Sequence, residues 1–259
     1  GLVESKEILE RCGKVAVIGS GPAGLTVAGD LARQGFSVTI FDGQEEPGGV
    51  LMYGIPEYRL PKVVVRKEIE KIEALGVSFE LNCMVGKDIT VDEMFRKGFD
   101  AIFIGTGTAL PKALDIPGAR LRGVVQSSYL LHMVSIFNQN TITRDRVPLV
   151  EGEKVGIIGC GNVAMDAAHT AVRLGASSVS VIYHRTESEM SAIQSEYQEA
   201  VKEGVNFMWE TSTTEFIGDE KGCLKALRAN TPQGEQVIPF DRIYLAIGSR
   251  PANRIVSTT

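Results

Sequence analysis

The sequence predicts an α/β protein in which one doubly wound, parallel-sheet unit is used twice. Three observations predict it. An apolar strand-like run, a glycine-rich turn and a helical pattern occur together at Lys14-Val-Ala-Val-Ile-Gly19-Ser-Gly21-Pro-Ala-Gly24-Leu. The same order returns 140 residues later, at Lys154-Val-Gly-Ile-Ile-Gly159-Cys-Gly161-Asn-Val-Ala164-Met-Asp166. Between and after them, strand-length apolar runs alternate with helical periodicity, the pattern of parallel sheets covered by helices.

The elements follow in order. A first strand is expected over 15–18. Leu25, Ala28, Leu31 and Ala32 share one helical face, Gly35 ends that helix, and a second strand covers 37–41. A Gly- and Pro-rich loop runs from 43 to 61. Residues 62–75 read as an amphipathic helix with Val65, Ile69 and Ile72 inward, and 77–81 and 100–104 as strands. Gly105-Thr106-Gly107 marks a tight turn where backbone can approach a ligand. The stretch 108–150 reads as a connection, with a helix at 127–137 and a polar loop at 138–146. The second unit continues with a helix over 162–174, a strand over 178–183 and a helix over 192–203. A β-rich tail follows, with strand character at 205–209, 215–217, 224–229, 236–238 and 242–247.

Composition excludes several classes. A chain of 259 residues, 44% hydrophobic and 23% charged, can bury two cores of ordinary domain size. Its net charge of −5, without a basic stripe, argues against nucleic acid as a partner. The apolar runs are strand-length, so no membrane span is expected. Gly1-Leu-Val-Glu-Ser-Lys-Glu is charged and lacks the apolar core of a secretory leader, and a cytoplasmic location is expected. Cys12, Cys83, Cys160 and Cys223 are far apart and form no C-x-x-C pair. They are expected as reduced thiols, neither a redox dithiol nor ligands of an iron–sulfur cluster.

The two glycine patterns sit where a dinucleotide fingerprint must, after a strand and at the start of a helix. In the first, Gly19 permits the tight turn, Gly21 lets backbone approach a pyrophosphate, and Gly24 lets the helix pack on the strand. Ser20, Pro22 and Ala23 complete that loop. The helix N-terminus then offers N–H groups and a positive dipole end to the phosphates. Asp42 closes the second strand, 23 residues after Gly19, where an acid accepts hydrogen bonds from a ribose diol. The second pattern carries Gly159, Gly161, Asn162 and Val163, with the tolerated Ala164 in third position. No acid follows its second strand. The residues there are Tyr183-His184-Arg185-Thr186, and a cation in that place suits a 2′-phosphate, favouring NADP over NAD. Two fingerprints in one chain suggest two redox dinucleotides, a flavin and a nicotinamide. Asp166, one turn into the second helix, either supports the nucleotide loop or makes a structural hydrogen bond within the domain. His132 and His169 lie on predicted helices without acidic or cysteine partners and read as ordinary helix residues. Cys160 fits a place that needs a small side chain and is not read as a nucleophile. No Ser/His/Asp set, carboxylate pair or metal-ligand spacing stands out, so no metal is expected. No catalytic side chain is named, because hydride transfer between cofactors needs no protein acid or base.

Glu46-Pro-Gly-Gly49-Val-Leu-Met-Tyr-Gly54-Ile-Pro56-Glu-Tyr-Arg59-Leu-Pro61-Lys resembles the segment after the flavin strand in the small subunit of NADPH-dependent glutamate synthase and its relatives. Gly159-Cys-Gly-Asn162-Val-Ala-Met-Asp166, with Tyr183-His-Arg185 and Glu189-Met190, is similar to that family's NADPH site. Gly105-Thr-Gly107 and Ala246-Ile-Gly248 match its two domain-crossing turns. The resemblance implies two Rossmann-like domains, with an NADP domain over 110–245 inserted in an FAD domain that opens with 1–109 and is re-entered by 246–259. It adds Gly49, Val50, Arg59, Val85, Gly105, Thr106, Gly107, Ala246 and Gly248 to the cofactor-binding residues. It further implies that NADPH reduces FAD and that electrons pass to a partner protein, a large synthase subunit or an iron–sulfur protein. Two departures accompany it. The family's cysteine-rich N-terminal region is expected to have no counterpart, and its C-terminal return to the flavin domain is expected to be missing. From these comes a weakly held FAD, and the alternative of a nucleotide-binding scaffold that docks a partner without turnover.

Overall fold

The computed structural model describes residues 13–252. Cys12 and residues 253–259, part of the expected return to the flavin domain, lie outside the described residues. The chain forms two compact units, one of residues 13–110 with 250–252, the other Pro111–Ser249.

The first unit contains β1 (Lys14–Ile18), α1 (Pro22–Arg33), β2 (Ser37–Phe41), α2 (Val50–Tyr53), α3 (Lys62–Glu73), β3 (Ser78–Glu80), α4 (Val91–Arg96) and β4 (Ala101–Ile104). Its sheet is parallel with order β3-β2-β1-β4. Both faces are buried, which is why β1 reads as a continuous apolar run and not as an alternation. Val17 and Ile40 pack under α1 and α3 with Leu25, Ala28, Val65 and Ile69. Ala16, Ile18 and Phe41 point the other way, onto Met94 and Phe99. Pro22 occupies the first turn of α1, where its missing N–H leaves no hydrogen bond unmade.

Two short helices depart from the expected pattern. The loop at 43–61 carries α2, and α4 occupies a stretch read without an element. The latter is fixed by a capping box: Thr90 Oγ1 accepts from the Glu93 N–H at 3.2 Å, and the Glu93 carboxylate accepts from the Thr90 N–H at 2.8 Å. Six residues are too few to show a helical period, and only the cap signature marks them.

The second unit contains β5 (Val124–Gln126), α5 (Ser127–Asn138), β6 (Lys154–Ile158), α6 (Asn162–Arg173), β7 (Ser178–Ile182), α7 (Gln194–Lys202), β8 (Asn206–Met208), β9 (Ser212–Gly218), β10 (Leu224–Thr231), β11 (Gly234–Pro239) and β12 (Arg242–Leu245). A parallel sheet has the order β5-β12-β6-β7-β8. One face packs Val155, Ile157 and Tyr244 against α5 and α6 through Leu130, Ala164 and Ala168. The other face, with Ile158, Ile182 and Ile243, is covered by Phe216 and Leu227 of the antiparallel sheet β9-β10-β11. The β-rich tail therefore supplies the layer that a helix supplies elsewhere. The strand expected over 242–247 ends at Leu245; the Ala246 N–H still donates to the Ile158 carbonyl at 2.8 Å, and the Ala246 carbonyl then passes against Gly159. By its contacts Ala246-Ile-Gly248 belongs to this second unit. Among the described residues no helix is long and apolar enough to cross a membrane.

Ile157 is fully buried at the centre of this core, and Trp209, the only tryptophan in the chain, packs against the same cluster. Ile157→Ala is expected to destabilise the unit by about 2–5 kcal/mol through lost burial and a residual cavity. The readout is the midpoint of the urea-induced change in Trp209 emission, which falls; an unchanged midpoint would contradict this packing.

Candidate dinucleotide sites

In the first unit β2 lies on one side of β1 and β4 on the other, so the chain reverses direction across the sheet at β1. Ligands of open α/β sheets bind beyond the carboxyl ends of strands at such a point. Gly19 follows β1 with φ +99°, and a Cβ on it would lie 2.5 Å from the carbonyl oxygen of Gly105, the residue after β4. A Cβ on Gly24 would lie 1.9 Å from the Gly19 carbonyl oxygen. These two glycines are required by the fold. Gly21 differs: a Cβ there would meet no atom within 4 Å, so nothing in the protein itself demands glycine. The open space lies at the N-terminus of α1, beside Pro22 and Ala23, where the helix dipole favours an anion.

Asp42 ties the loop together. Its Oδ2 accepts from the Ser20 N–H at 2.7 Å and the Ser20 hydroxyl at 2.6 Å, and its Oδ1 accepts from the Gln44 N–H at 2.9 Å. Ser20, fully buried, in turn accepts from the Gly48 N–H on its carbonyl at 3.0 Å and on Oγ at 3.1 Å. The acid expected to meet a ribose thus also locks the fingerprint, and a carboxylate's remaining lone pairs leave it able to accept from a ligand. Gly49, with φ +52°, presses on Gly21: a Cβ there would lie 2.9 Å from the Gly21 Cα. Val50 begins α2 and is exposed, and Arg59 is half-buried in the turn that follows Pro56. Val85 comes two residues after Cys83, whose N–H donates to the Asp42 carbonyl at 2.9 Å. Thr106 and Gly107 continue from Gly105, with Gly107 at φ +64°. The structure brings residues 19–24, Asp42, Gly49 and Gly105 to one end of the sheet, while Arg59 and Val85 sit on its flanking loops.

The second unit repeats the arrangement. Gly159 follows β6 with φ +115°, and a Cβ on it would lie 2.4 Å from the carbonyl oxygen of Ala246, the residue after β12. Above this contact opens a cavity of about 690 Å³ lined by Gly159, Cys160, Gly161, Asn162, Val163, His184, Ala246 and Gly248, among others. Asp166 is buried on α6 and does not line it. Arg185 is exposed at its rim; its Nε donates to His184 Nε2 at 3.2 Å, and its carbonyl accepts from the Glu210 N–H at 2.9 Å.

Several lining residues escape sequence reasoning. Gln126 enters at the end of β5, which is too short to show periodicity, Ser128 in the first turn of α5, and Thr211 and Thr213 on either side of the first residue of β9. Ser191 belongs to a loop laid on the fingerprint. The Ser191 and Ala192 N–H groups donate to the Cys160 carbonyl at 3.2 and 3.1 Å, and the Ile193 N–H donates to Asn162 Oδ1 at 3.0 Å. Asn162 therefore holds that loop through its side chain. The loop is anchored upstream by Tyr183, whose hydroxyl donates to the Glu189 carbonyl at 3.0 Å. It is anchored again by Glu189, whose carboxylate accepts from Thr186 and is held below the usual carboxylate range by those bonds. The Thr186-x-x-Glu189 spacing is the one signal of this in the sequence.

Burial, with the Glu187 carboxylate as a smaller cause, pushes the Cys160 thiol up to about 11, which keeps it protonated and unreactive at neutral pH. His132 is half-buried on α5, and burial lowers its pKa. The expectation that His169 lacks an acidic partner is corrected. Its ring is buried, Nδ1 lies 2.7 Å from Glu203 Oε2, and Arg173 reaches the other oxygen of Glu203 at 3.0 Å. Ligand-capable atoms of His169, Glu196 and Glu199 also lie within 4.8 Å of one another, a grouping that sequence spacing did not show. The acids are spread along α7, with Glu196 in its first turn, Glu199 mid-helix and Glu203 at its C-cap, so only the packing of α6 on α7 brings them to His169.

With this geometry in hand, comparison with known proteins is specific. The family model described as pyridine nucleotide-disulphide oxidoreductase matches residues 13–259. The NADP(+)-dependent formate dehydrogenase subunit beta of Moorella thermoacetica is 40% identical over 83% of this chain and 29% of its own length. A putative glutamate synthase [NADPH] small chain of Cereibacter sphaeroides is 36% identical over 96% of this chain and 64% of its own, in keeping with the resemblance carried by the Gly-Ile-Pro segment. The chain thus spans less than two thirds of the length of these relatives. Mycobacterium tuberculosis FprA, solved in complex with NADPH, shares the fold with a TM-score of 0.78 at 16% identity, over 93% of this chain and 72% of that one. The duplicated fingerprint, the parallel sheets and the match over nearly the whole sequence place this chain in the pyridine nucleotide-disulphide oxidoreductase family.

Proposed function

We propose that the chain is the FAD- and NADPH-binding part of an oxidoreductase that takes hydride from NADPH and hands electrons to a partner protein. The observation that carries this reading is the opposite chemistry of two otherwise matching sites. One ends its second strand in Asp42, the other in His184-Arg185. The relatives named as a formate dehydrogenase subunit and a glutamate synthase small chain favour a partner subunit as the acceptor. An iron–sulfur protein or a large synthase subunit is the acceptor class proposed.

FAD belongs in the first unit, whose open space at Gly21 is a cradle that a Cβ would fill. The flavin, when bound, supplies a centre that accepts hydride from the nicotinamide. The chain's own residues bind and orient. The α1 N-terminus and Gly21 face the pyrophosphate, and Asp42 meets the adenosine ribose while holding Ser20. In the second unit the α6 N-terminus receives the other pyrophosphate, and His184 and Arg185 take the 2′-phosphate. No side chain is assigned a proton-transfer role.

The purified chain should carry or take up a chromophore absorbing near roughly 370 and 450 nm, as flavins do, and NADPH should bleach it. A chain that binds both nucleotides without bleaching is a scaffold, and the oxidoreductase reading fails. Gly21→Val is expected to abolish FAD binding without unfolding the unit, since its Cβ would enter the open space and meet no protein atom within 4 Å. Normal FAD titration of this variant would overturn the assignment. Arg185→Ala should weaken NADPH by about one to two decades, the loss of about 1.5–3 kcal/mol from a charge-assisted contact, and leave NADH nearly unchanged. Equal losses for both nucleotides would refute the 2′-phosphate role.

A further inference from the structure

We propose that Lys62 is a positioning residue for the dinucleotide site of the first unit, an ammonium staple that holds the segment from Gly49 to Arg59 in its binding shape. The proposal rests on reading this unit as the flavin site.

Lys62 opens α3, yet only 4% of it is exposed, and lysine is among the residue types least often buried. Its Nζ donates to the Leu51 carbonyl at 2.8 Å and to the Ile55 carbonyl at 2.5 Å. Its own backbone N–H donates to both carboxylate oxygens of Glu57 at 3.2 Å. One residue thus gathers three points of the segment. The carbonyls it takes lie in and just after α2, a helix of four residues, where the dipole favours a cation. A helix that short has no stability of its own in water. The other end of the segment rests on the fingerprint, through Gly49 against Gly21 and the Gly48 N–H on Ser20. Fixing α2 from behind therefore fixes the backbone that faces the open space at Gly21.

Lysine suits the task chemically. It brings three donors on a flexible stem, enough for two carbonyls that diverge along the chain. Burial lowers its pKa from the usual lysine value and nearby Arg66 adds to this, while Glu57 opposes both. Removing the ammonium leaves two part-buried carbonyls without their donor, and that loss falls on the segment and not on the sheet.

Lys62→Met keeps the length and removes the donors, and Lys62→Arg restores a cation with several. In the flavin-free chain, amide hydrogen exchange over 49–59 should rise in Lys62→Met, with β1, β2 and the second unit unchanged. The dissociation constant for FAD, read by flavin fluorescence, should rise about tenfold or more, the scale of one lost charge-assisted bond. Lys62→Arg should recover part of both effects, and NADP⁺ affinity should not move. If Lys62→Met fails to fold, Lys62→Gln, which keeps one donor group, carries the same comparison. Parental exchange over 49–59 in the variant overturns the staple, and raised exchange with parental FAD affinity overturns its positioning role. A parental chain that takes no FAD defeats the flavin reading instead, and the exchange comparison still decides whether Lys62 holds the segment.

Discussion

The structure depends on one close approach, made twice. The first glycine of each fingerprint lies against the carbonyl of the residue that leaves the neighbouring strand: Gly19 against Gly105, Gly159 against Ala246. Any side chain at either glycine would drive that strand exit away, and the positive φ at both would strain it further. The contact makes the floor of each site out of backbone alone. Peptide groups are rigid dipoles, so a floor of this kind presents fixed N–H and C=O directions without the entropy of ordering side chains. The helix that follows is then aimed by the sheet, and its N-terminus needs no further support to face an anion.

What lies over the two floors differs, and the difference is electrostatic. In the first unit the acid at the end of β2 is drawn inward and accepts from Ser20 and Gln44. The segment from Gln44 to Arg59 is therefore registered on the fingerprint through Asp42 and Ser20, and tied to α3 by the buried Lys62. In the second unit the corresponding strand is followed by exposed His184 and Arg185, and the loop at 191–193 is registered by hydrogen bonds to the Cys160 carbonyl and to Asn162. In the proposed function, one architecture presents an acceptor to one nucleotide and a cation to the other.

Most of the fold was legible because the two parallel sheets are covered on both faces. Their strands stand out as apolar runs and their helices as clean periods, and 37–41 was read with its observed bounds. Three short elements, β5, α2 and α4, were not legible: with three, four and six residues they develop no period. The glycines and the strand-end residues of the sites were legible because they are local in sequence. The supports were not. Ser191 meets Cys160 across 31 residues, and Glu203 meets His169 across 34. Lys62 was hidden differently: in the sequence it opens an exposed-looking amphipathic helix, and only the fold of the preceding loop turns it inward.

The Lys112 N–H donates to the Gly248 carbonyl at 3.0 Å, so the two ends of Pro111–Ser249 are hydrogen-bonded to each other. A chain segment whose ends already meet acts on its host as a very short loop, whatever its length, since closure entropy depends on the gap to be spanned. Once folded, the second unit therefore adds almost no closure entropy to the first. The same meeting of ends makes it the natural piece to excise, to permute by joining 111 to 249, or to move into another sheet's crossover.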